Sequence, residues 1–352
     1  MNKLASSALV LAAAMAPATQ AMEFEPTDNT SVGVYAGFEP SVKSVTNGNG
    51  NSETDYTDEG SIIGMSGETR INSNLTVFAF GEFEFLSDDT SPSFTFDEGA
   101  FGFKGDWGKI QGGGFDSVYE DLIVDATEIA EIAEISDETL AEEDNLIAYY
   151  SPNFNGFSFR TQVRFVGDGD DLAEDSQDNT ELGFALAGGY TAENWGIYAG
   201  YDDLATNPAT EEAAQFATLT GTGGQQIEVK TADAVNQFVD GETYGLAGTF
   251  SVGPAQLAAK YAETNFDNAD EFDDALQDTT RVALRGKFNY GPGKLYAAAQ
   301  EVDPDNADDR TEFTVGADYK PVSNLKLYSE AGWFDRDNDA GDLVGVGAIY
   351  EF

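Results

Sequence analysis

The sequence predicts an all-β fold: a 16-stranded antiparallel transmembrane β-barrel with short turns at one end and long polar loops at the other. Three observations predict it. The chain ends "GDLVGVGAIYEF", where Val344, Val346, Ala348, Tyr350 and Phe352 fall on one face and Gly345, Gly347, Ile349 and Glu351 on the other. That period of two marks a strand with one apolar and one small or polar face. Segments of this kind recur along the whole chain, separated alternately by tight turns and long loops. After residue 21 no run of about 18 apolar residues occurs, so a membrane-spanning form must be a closed barrel, in which every backbone group is paired between strands.

The N-terminus reads as an export signal. Lys3 supplies a positive start, Leu4 to Ala16 an apolar stretch, and Thr19 and Ala21 the small residues of a cleavage site. Residues 1–21 are expected to be removed, leaving 22–352 as one barrel domain; the competing reading is a first helix of the mature fold. Removing Lys3 leaves 16 basic and 64 acidic residues, a charge of −48 against −47 for the full chain.

The strands are expected at 30–42, 59–72, 74–87, 93–105, 108–115, 145–152, 156–167 and 179–191. The second half places them at 194–205, 240–251, 254–265, 278–290, 293–302, 310–320, 323–335 and 342–352. The tight turns between them are "NSN", "GDWG", "PNFNG", "TAEN", "SVGP", "YGPG" and "PVSN", rich in the Gly, Pro and Asn that sharp reversals need. The long loops are acidic, as in "GDGDDLAEDSQDN" and "ETNFDNADEFDDAL".

The faces suit a water-filled barrel. In "FSFRTQVRF", Phe157, Phe159, Thr161, Val163 and Phe165 oppose Ser158, Arg160, Gln162 and Arg164. In "RVALRGKFNY", Val282, Leu284, Gly286, Phe288 and Tyr290 oppose Arg281, Ala283, Arg285, Lys287 and Asn289. Charges confined to one face mean a wet face, because Arg or Lys facing lipid near the midplane costs roughly 2–4 kcal/mol. Phe78 and Phe80 blur the pattern, sharing a face with Glu82 and Glu84. A soluble β-sandwich would also alternate; sixteen strands, the export signal and aromatics near strand ends (Tyr290, Tyr319, Trp333, Tyr350) favour the barrel.

Composition excludes several functions. With no Cys and no His there is no disulfide framework, thiolate site, His-based triad or His general base, so no enzyme is expected. The acidic charge repels nucleic acid. "DRDNDAGD" alternates Asp335, Asp337 and Asp339, but a calcium loop needs Gly at its sixth and Glu at its twelfth position. Here those positions are Ala340 and Val346, so no metal or cofactor is expected, beyond loose divalent-cation binding near lipopolysaccharide phosphates.

"EGAFGFKGDWGKIQGGGFDSVYED" resembles the strand–turn–strand that leads into the long third loop of the general, non-specific trimeric porins of Gram-negative outer membranes. "NLIAYYSPNFNGFSFRTQ" resembles that family's return from the loop. The resemblance implies short periplasmic turns, a third loop folded into the barrel, a homotrimer in lipid and lipopolysaccharide, and passive diffusion of small hydrophilic solutes. It also implies that the last strand, with Tyr350 and Phe352, is the signal gripped by the barrel-assembly machinery.

The third loop, 116–144, is rich in carboxylates and contains no Lys or Arg. Asp116, Glu120, Asp121, Glu128, Glu131 and Glu134 are the candidates for an acidic constriction; the competing reading is a solvated charge run outside the barrel. Ile129, Ile132 and Ile135, spaced by three, predict a short helix there with Glu128, Glu131 and Glu134 on another face. The opposite wall is expected to carry Arg160, Arg164, Arg281 and Arg285, with Arg70 nearer the periplasmic end. These arginines either face the loop across the pore or pair with wall acids such as Glu82 and Glu84. Where the family commonly has Gly–Arg before the third loop this chain has "GGG", and Ala148 stands where a basic residue is frequent. A constriction poor in positive charge and lined by acids favours cations. Two alternatives stay open: a substrate-selective porin, for oligosaccharides for example, if Tyr296 or Tyr328 lines the lumen, and a surface barrel acting mainly as an adhesin if 206–239 caps the pore.

Overall fold

The computed structural model describes residues 22–88, 94–136, 144–165, 182–203, 207–212, 215–220, 226–232, 235–239, 241–266, 277–305 and 307–352. The expected export signal at 1–21, most of the two acidic loops quoted above and the stretch 137–143 of the third loop lie outside them. A short strand β1 (Met22–Thr27) folds back on β2 (Thr30–Phe38). After a break at Glu39, β3 (Pro40–Thr46) continues β2, and β4 (Ser52–Asp58) leads into β5 (Ile62–Asn72). Then follow β6 (Leu75–Phe85), β7 (Phe94–Gly105), β8 (Gly108–Gly114), β9 (Leu146–Tyr150), β10 (Phe157–Phe165), β11 (Leu182–Thr191) and β12 (Trp195–Asp203). The excursion after β12 holds β13 (Asn207–Glu212) paired with β16 (Val235–Val239), and β14 (Gln215–Thr220) paired with β15 (Gln226–Ala232). The wall resumes with β17 (Gly241–Val252), β18 (Ala255–Phe266), β19 (Thr279–Asn289), β20 (Lys294–Pro304), β21 (Arg310–Val322), β22 (Leu325–Trp333) and β23 (Leu343–Glu351).

Counting β2 with β3 and β4 with β5 as single long strands, the wall is a closed antiparallel barrel of sixteen. All sixteen expected segments are found. The extra strands β1, β4 and the paired ladders of β13 to β16 were not anticipated. Closure occurs at β23, which pairs with β22 on one side and with β2 and β3 on the other, Gly37 opposite Glu351 and Val42 opposite Val346. The amide of Ala36 donates to the carbonyl of Phe352 at 2.9 Å, and Phe352 returns the bond at 3.0 Å.

Outward faces are apolar as the alternation requires: Val344, Val346, Tyr350 and Phe352 are all exposed. Outward aromatics meet across strands near the rims, as in Tyr190 with Trp195 and Phe313 with Trp333, where amphipathic rings mark the membrane interfaces. The ring of Phe352 stacks 6.3 Å from Phe38 across the closure. At the periplasmic turn into β8, Gly108 has φ +114°, and a Cβ there would collide with the carbonyl of Tyr150; only glycine fits.

Deleting Phe352 leaves two main-chain groups of Ala36 without partners at a lipid-facing closure, each costing on the order of 1–3 kcal/mol. The folded band on unheated gel electrophoresis should fall several-fold. An unchanged band would show that the barrel closes without this residue.

Candidate pore constriction

The third loop runs inside the barrel, and lumen-facing wall residues hold it there. Phe115 and Val118 pack against Ala100, Leu146, Ala148, Tyr150 and Ala185, with Phe80 beside them. This accounts for Phe80 on an otherwise wet face, since it packs against the loop's cluster; Phe78 is buried too, with the Lys104 ammonium over its ring. Further on, Tyr119, Leu122, Ile123 and Val124 pack on Ala187, Tyr198 and Ala247 of β11, β12 and β17. Gly200 and Gly245 form the floor beneath them, since a Cβ at either would strike Tyr119 and Ile123.

The loop's helical turn is not where the Ile spacing puts it. It is a π-helical turn at Glu120–Val124, and residues 126–136 run without regular structure. The reason is that their backbone is bonded to the wall. The carboxylate of Glu330 on β22 accepts from the amides of Glu131 (2.9 and 3.0 Å), Ile132 (2.8 Å) and Ala133 (3.1 Å), and also takes the hydroxyl of Tyr296. Glu312 on β21 accepts from the amide and hydroxyl of Ser136 at 2.6 and 3.0 Å and from Nε of Arg310 at 3.0 Å. Thr314 donates to the carbonyl of Ala133. Amides held by wall carboxylates cannot close helical i to i+4 bonds.

The acidic candidates divide into two groups. Asp121 is buried and forms a 2.5 Å ion pair with Arg160, whose guanidinium lies 5.4 Å from the Tyr150 ring. Glu131 reaches Lys326 at 2.6 Å. No lysine or arginine comes within ion-pair distance of Asp116, Asp125 or Glu134 among the described residues. Asp116 lines a cavity of about 370 Å³ together with Asp97, Glu98 and Asp144. Glu134 shares a hydrogen bond with Glu128. Burial, then the charge of Glu128, pushes Asp125 up to about 7 and Glu134 up to about 8. Burial also raises Asp116, with Asp97 adding to it, and raises Asp121 despite the opposing pull of Arg160. Glu120 is half-buried in the first turn of the π helix.

The basic candidates separate similarly. Arg160 and Arg164 are buried, Arg160 under the loop and Arg164 within electrostatic reach of Asp202, to which Ser117 of the loop donates at 3.0 Å. Arg160 thus pairs with the loop rather than with Glu82, whose carboxylate accepts from Tyr35 at 2.5 Å. Arg281 and Arg285 point inward on β19, and Arg70 is exposed at the periplasmic end of β5, beyond the Glu68–Lys104 pair. Sequence reasoning missed Glu330 and Glu312 as anchors, and Lys109, whose ammonium stands 3.9 Å from the centre of the Tyr150 ring. Their inward position on alternating strands was readable; their partners, far off in the chain, were not. Tyr296 and Tyr328 are inward but buried, not open to the lumen.

A closed sixteen-stranded wall with a loop bonded across its lumen leaves the ancestry to be decided by comparison. A family described as Gram-negative porin matches residues 5–339. The chain belongs to that family. Two relatives, a "Monosaccharide porin" of a Halomonas species and a "Major outer membrane protein" of Halomonas elongata, are each 27% identical over the full length of both chains. Among solved structures, a loop-deleted OmpT of Vibrio cholerae superposes with TM-score 0.68 at 19% identity, covering 92% of this chain and all of that one. An anion-selective porin from Comamonas acidovorans superposes with TM-score 0.68 at 17% identity, with the same coverage. This porin is an outer-membrane channel, and its family and fold are those of channels rather than enzymes.

Replacing Glu330 by Ala strips three loop amides of their acceptor in one step, at about 1–3 kcal/mol for each amide left buried and unpaired. Single channels should become noisier, with larger mean conductance. Gln at this position, which keeps one carbonyl acceptor, should fall between. Quiet openings of unchanged size in the Ala variant would show that the loop is held by other contacts.

Proposed function

We propose that this porin is a cation-selective channel for passive diffusion of small hydrophilic solutes, working as a homotrimer. One observation carries the reading: the loop that narrows the lumen presents carboxylates that have no cationic partner among the described residues, at Asp116, Asp125 and Glu134. The strand positions flanking the loop where the family resemblance leads one to expect a basic residue are Gly114 and Ala148 here, and Ala148 instead seats Phe115 and Val118. Unpaired acids in a narrow, low-dielectric-walled passage concentrate cations and exclude anions. Small sugars belong among the solutes by analogy with the monosaccharide porin of a Halomonas species. The trimer reading draws on a trimeric form of Vibrio cholerae OmpT, which shares the fold with TM-score 0.66.

The proposal includes cleavage after Ala21. In the register, Met22 lies opposite Val34 while the amide and carbonyl of Phe352 bond Ala36 two residues on. Cleavage there would begin the chain at β1, beside the closing strands. Tyr350 and Phe352, outward on the last strand, are the surface we assign to the assembly machinery, and the outer rim to lipopolysaccharide.

Zero-current potential across a planar bilayer under a tenfold KCl gradient tests the selectivity: a sign favouring K⁺ is expected, and a sign favouring Cl⁻ would overturn it. The raised carboxyl groups fix the pH dependence. Above pH 8 both Asp125 and Glu134 are charged; as pH falls through about 8 and then 7 they take up protons and the negative charge drops. Cation preference should therefore decline between pH 8.5 and 6, with Glu134→Gln removing the upper part of that decline. A potential flat down to about pH 5, where ordinary carboxylates begin to protonate, would assign the selectivity to other acids.

A further inference from the structure

The inward face of β19 carries two cations that have no acidic partner among the described residues. Arg285 is 6% exposed, and among the described residues its one hydrogen bond is to the side-chain carbonyl of Gln256, which accepts from Nη2 at 2.9 Å. Its Nε is buried with no acceptor. Two residues on, Lys287 projects from the same face, flanked by Gln256 on β18 and Tyr296 on β20. Among the described residues no carboxylate comes within ion-pair distance of Arg285 or Lys287. The nearby Lys294 is already engaged, 3.5 Å from Asp318.

Several other inward cations are paired with acids. Arg160 has Asp121, Lys43 has Glu59, Lys104 has Glu68 and Lys326 has Glu131. In a chain with 64 acids and 17 bases, a buried guanidinium without a carboxylate is an exception that demands a partner. The residues beside Arg285 on the neighbouring strands are Ala258 and Ala298, so small side chains border the guanidinium on both sides. Gln256 holds one edge of the fork and thereby orients it.

We propose that Arg285 and Lys287 form a docking station in the periplasmic half of the lumen for the oxyanion group, phosphate or carboxylate, of a small solute. A planar guanidinium beside a mobile ammonium is suited to two such oxygens. The station rests on the reading of this chain as a solute channel. It gives anionic groups a foothold below the acidic loop without reversing the preference for cations, because the carboxylates above it remain unpaired.

The test is single-channel recording in KCl, adding potassium phosphate or potassium acetate at constant ionic strength. Wild-type openings should show a saturable loss of conductance with either anion, and the double variant Arg285→Gln, Lys287→Gln should weaken the apparent affinity about tenfold or more, the loss of one or two charge-assisted hydrogen bonds. Lys287→Gln alone, a change at a partly exposed position, should weaken it less, which keeps the test open if the double variant fails to fold. Equal responses of wild type and Lys287→Gln to both anions, or no response in the wild type, would overturn the station while leaving the channel intact. Absence of wild-type KCl conductance would strike the channel reading instead.

Discussion

A chain that crosses a bilayer must satisfy its backbone polar groups within itself, and every feature of this porin follows from that constraint. Sixteen strands achieve it only by closing, so the last strand must return to the first, and the bonds between Ala36 and Phe352 lie at the point of return. Closure in turn fixes which side chains see lipid and which see water. Once the faces are set, a lumen exists, and whatever enters it meets the same demand for paired backbone groups. The third loop enters it.

A loop in a narrow lumen has two ways to satisfy its amides: its own helix or the wall. This one uses the wall for its second half. Glu330 collects three successive amides and the Tyr296 hydroxyl, and Glu312 collects Ser136 along with Arg310. Two buried carboxylates are expensive to desolvate, and several donors each are what offsets that cost. The first half instead rests on apolar packing over Gly200 and Gly245, where strand glycines let Tyr119 and Ile123 lie against backbone. The loop is therefore held at one end by shape and at the other by charge-assisted bonds.

Period-two alternation is a local property, so the strands and their faces were legible in sequence, down to the inward Arg285 and the outward Phe352. The loop was legible only in part. The Ile129, Ile132 and Ile135 spacing reads as a helix because local sequence holds no trace of Glu330, some 198 residues later, competing for the same amides. The pairing of Arg160 with Asp121 was hidden for the same reason: a strand residue and a loop residue meet only after the loop has folded inward. Phe78 and Phe80 were the one visible clue, since aromatics on a wet face need something to cover them. Asp125 was passed over among its acidic neighbours, and only its position between Asp121 and Glu128 inside the lumen distinguishes it.

How the loop is anchored bears on what it can do. Had lysines and arginines of the wall gripped its carboxylates, each anchor would have cancelled one charge in the passage. Asp121 and Glu131 are lost in that way. The remaining anchors grip backbone amides, and they do so with acids, so the loop is fastened without neutralising Asp116, Asp125 or Glu134. Burial and the neighbouring loop acids raise Asp125 and Glu134 toward physiological pH, and Glu330 behind the loop adds to the effect on Glu134 alone. An all-acidic loop clamped by acidic residues thus places its titrating charge where solutes must pass. Among the described residues it also leaves Arg285 and Lys287 of β19 without a carboxylate within ion-pair distance.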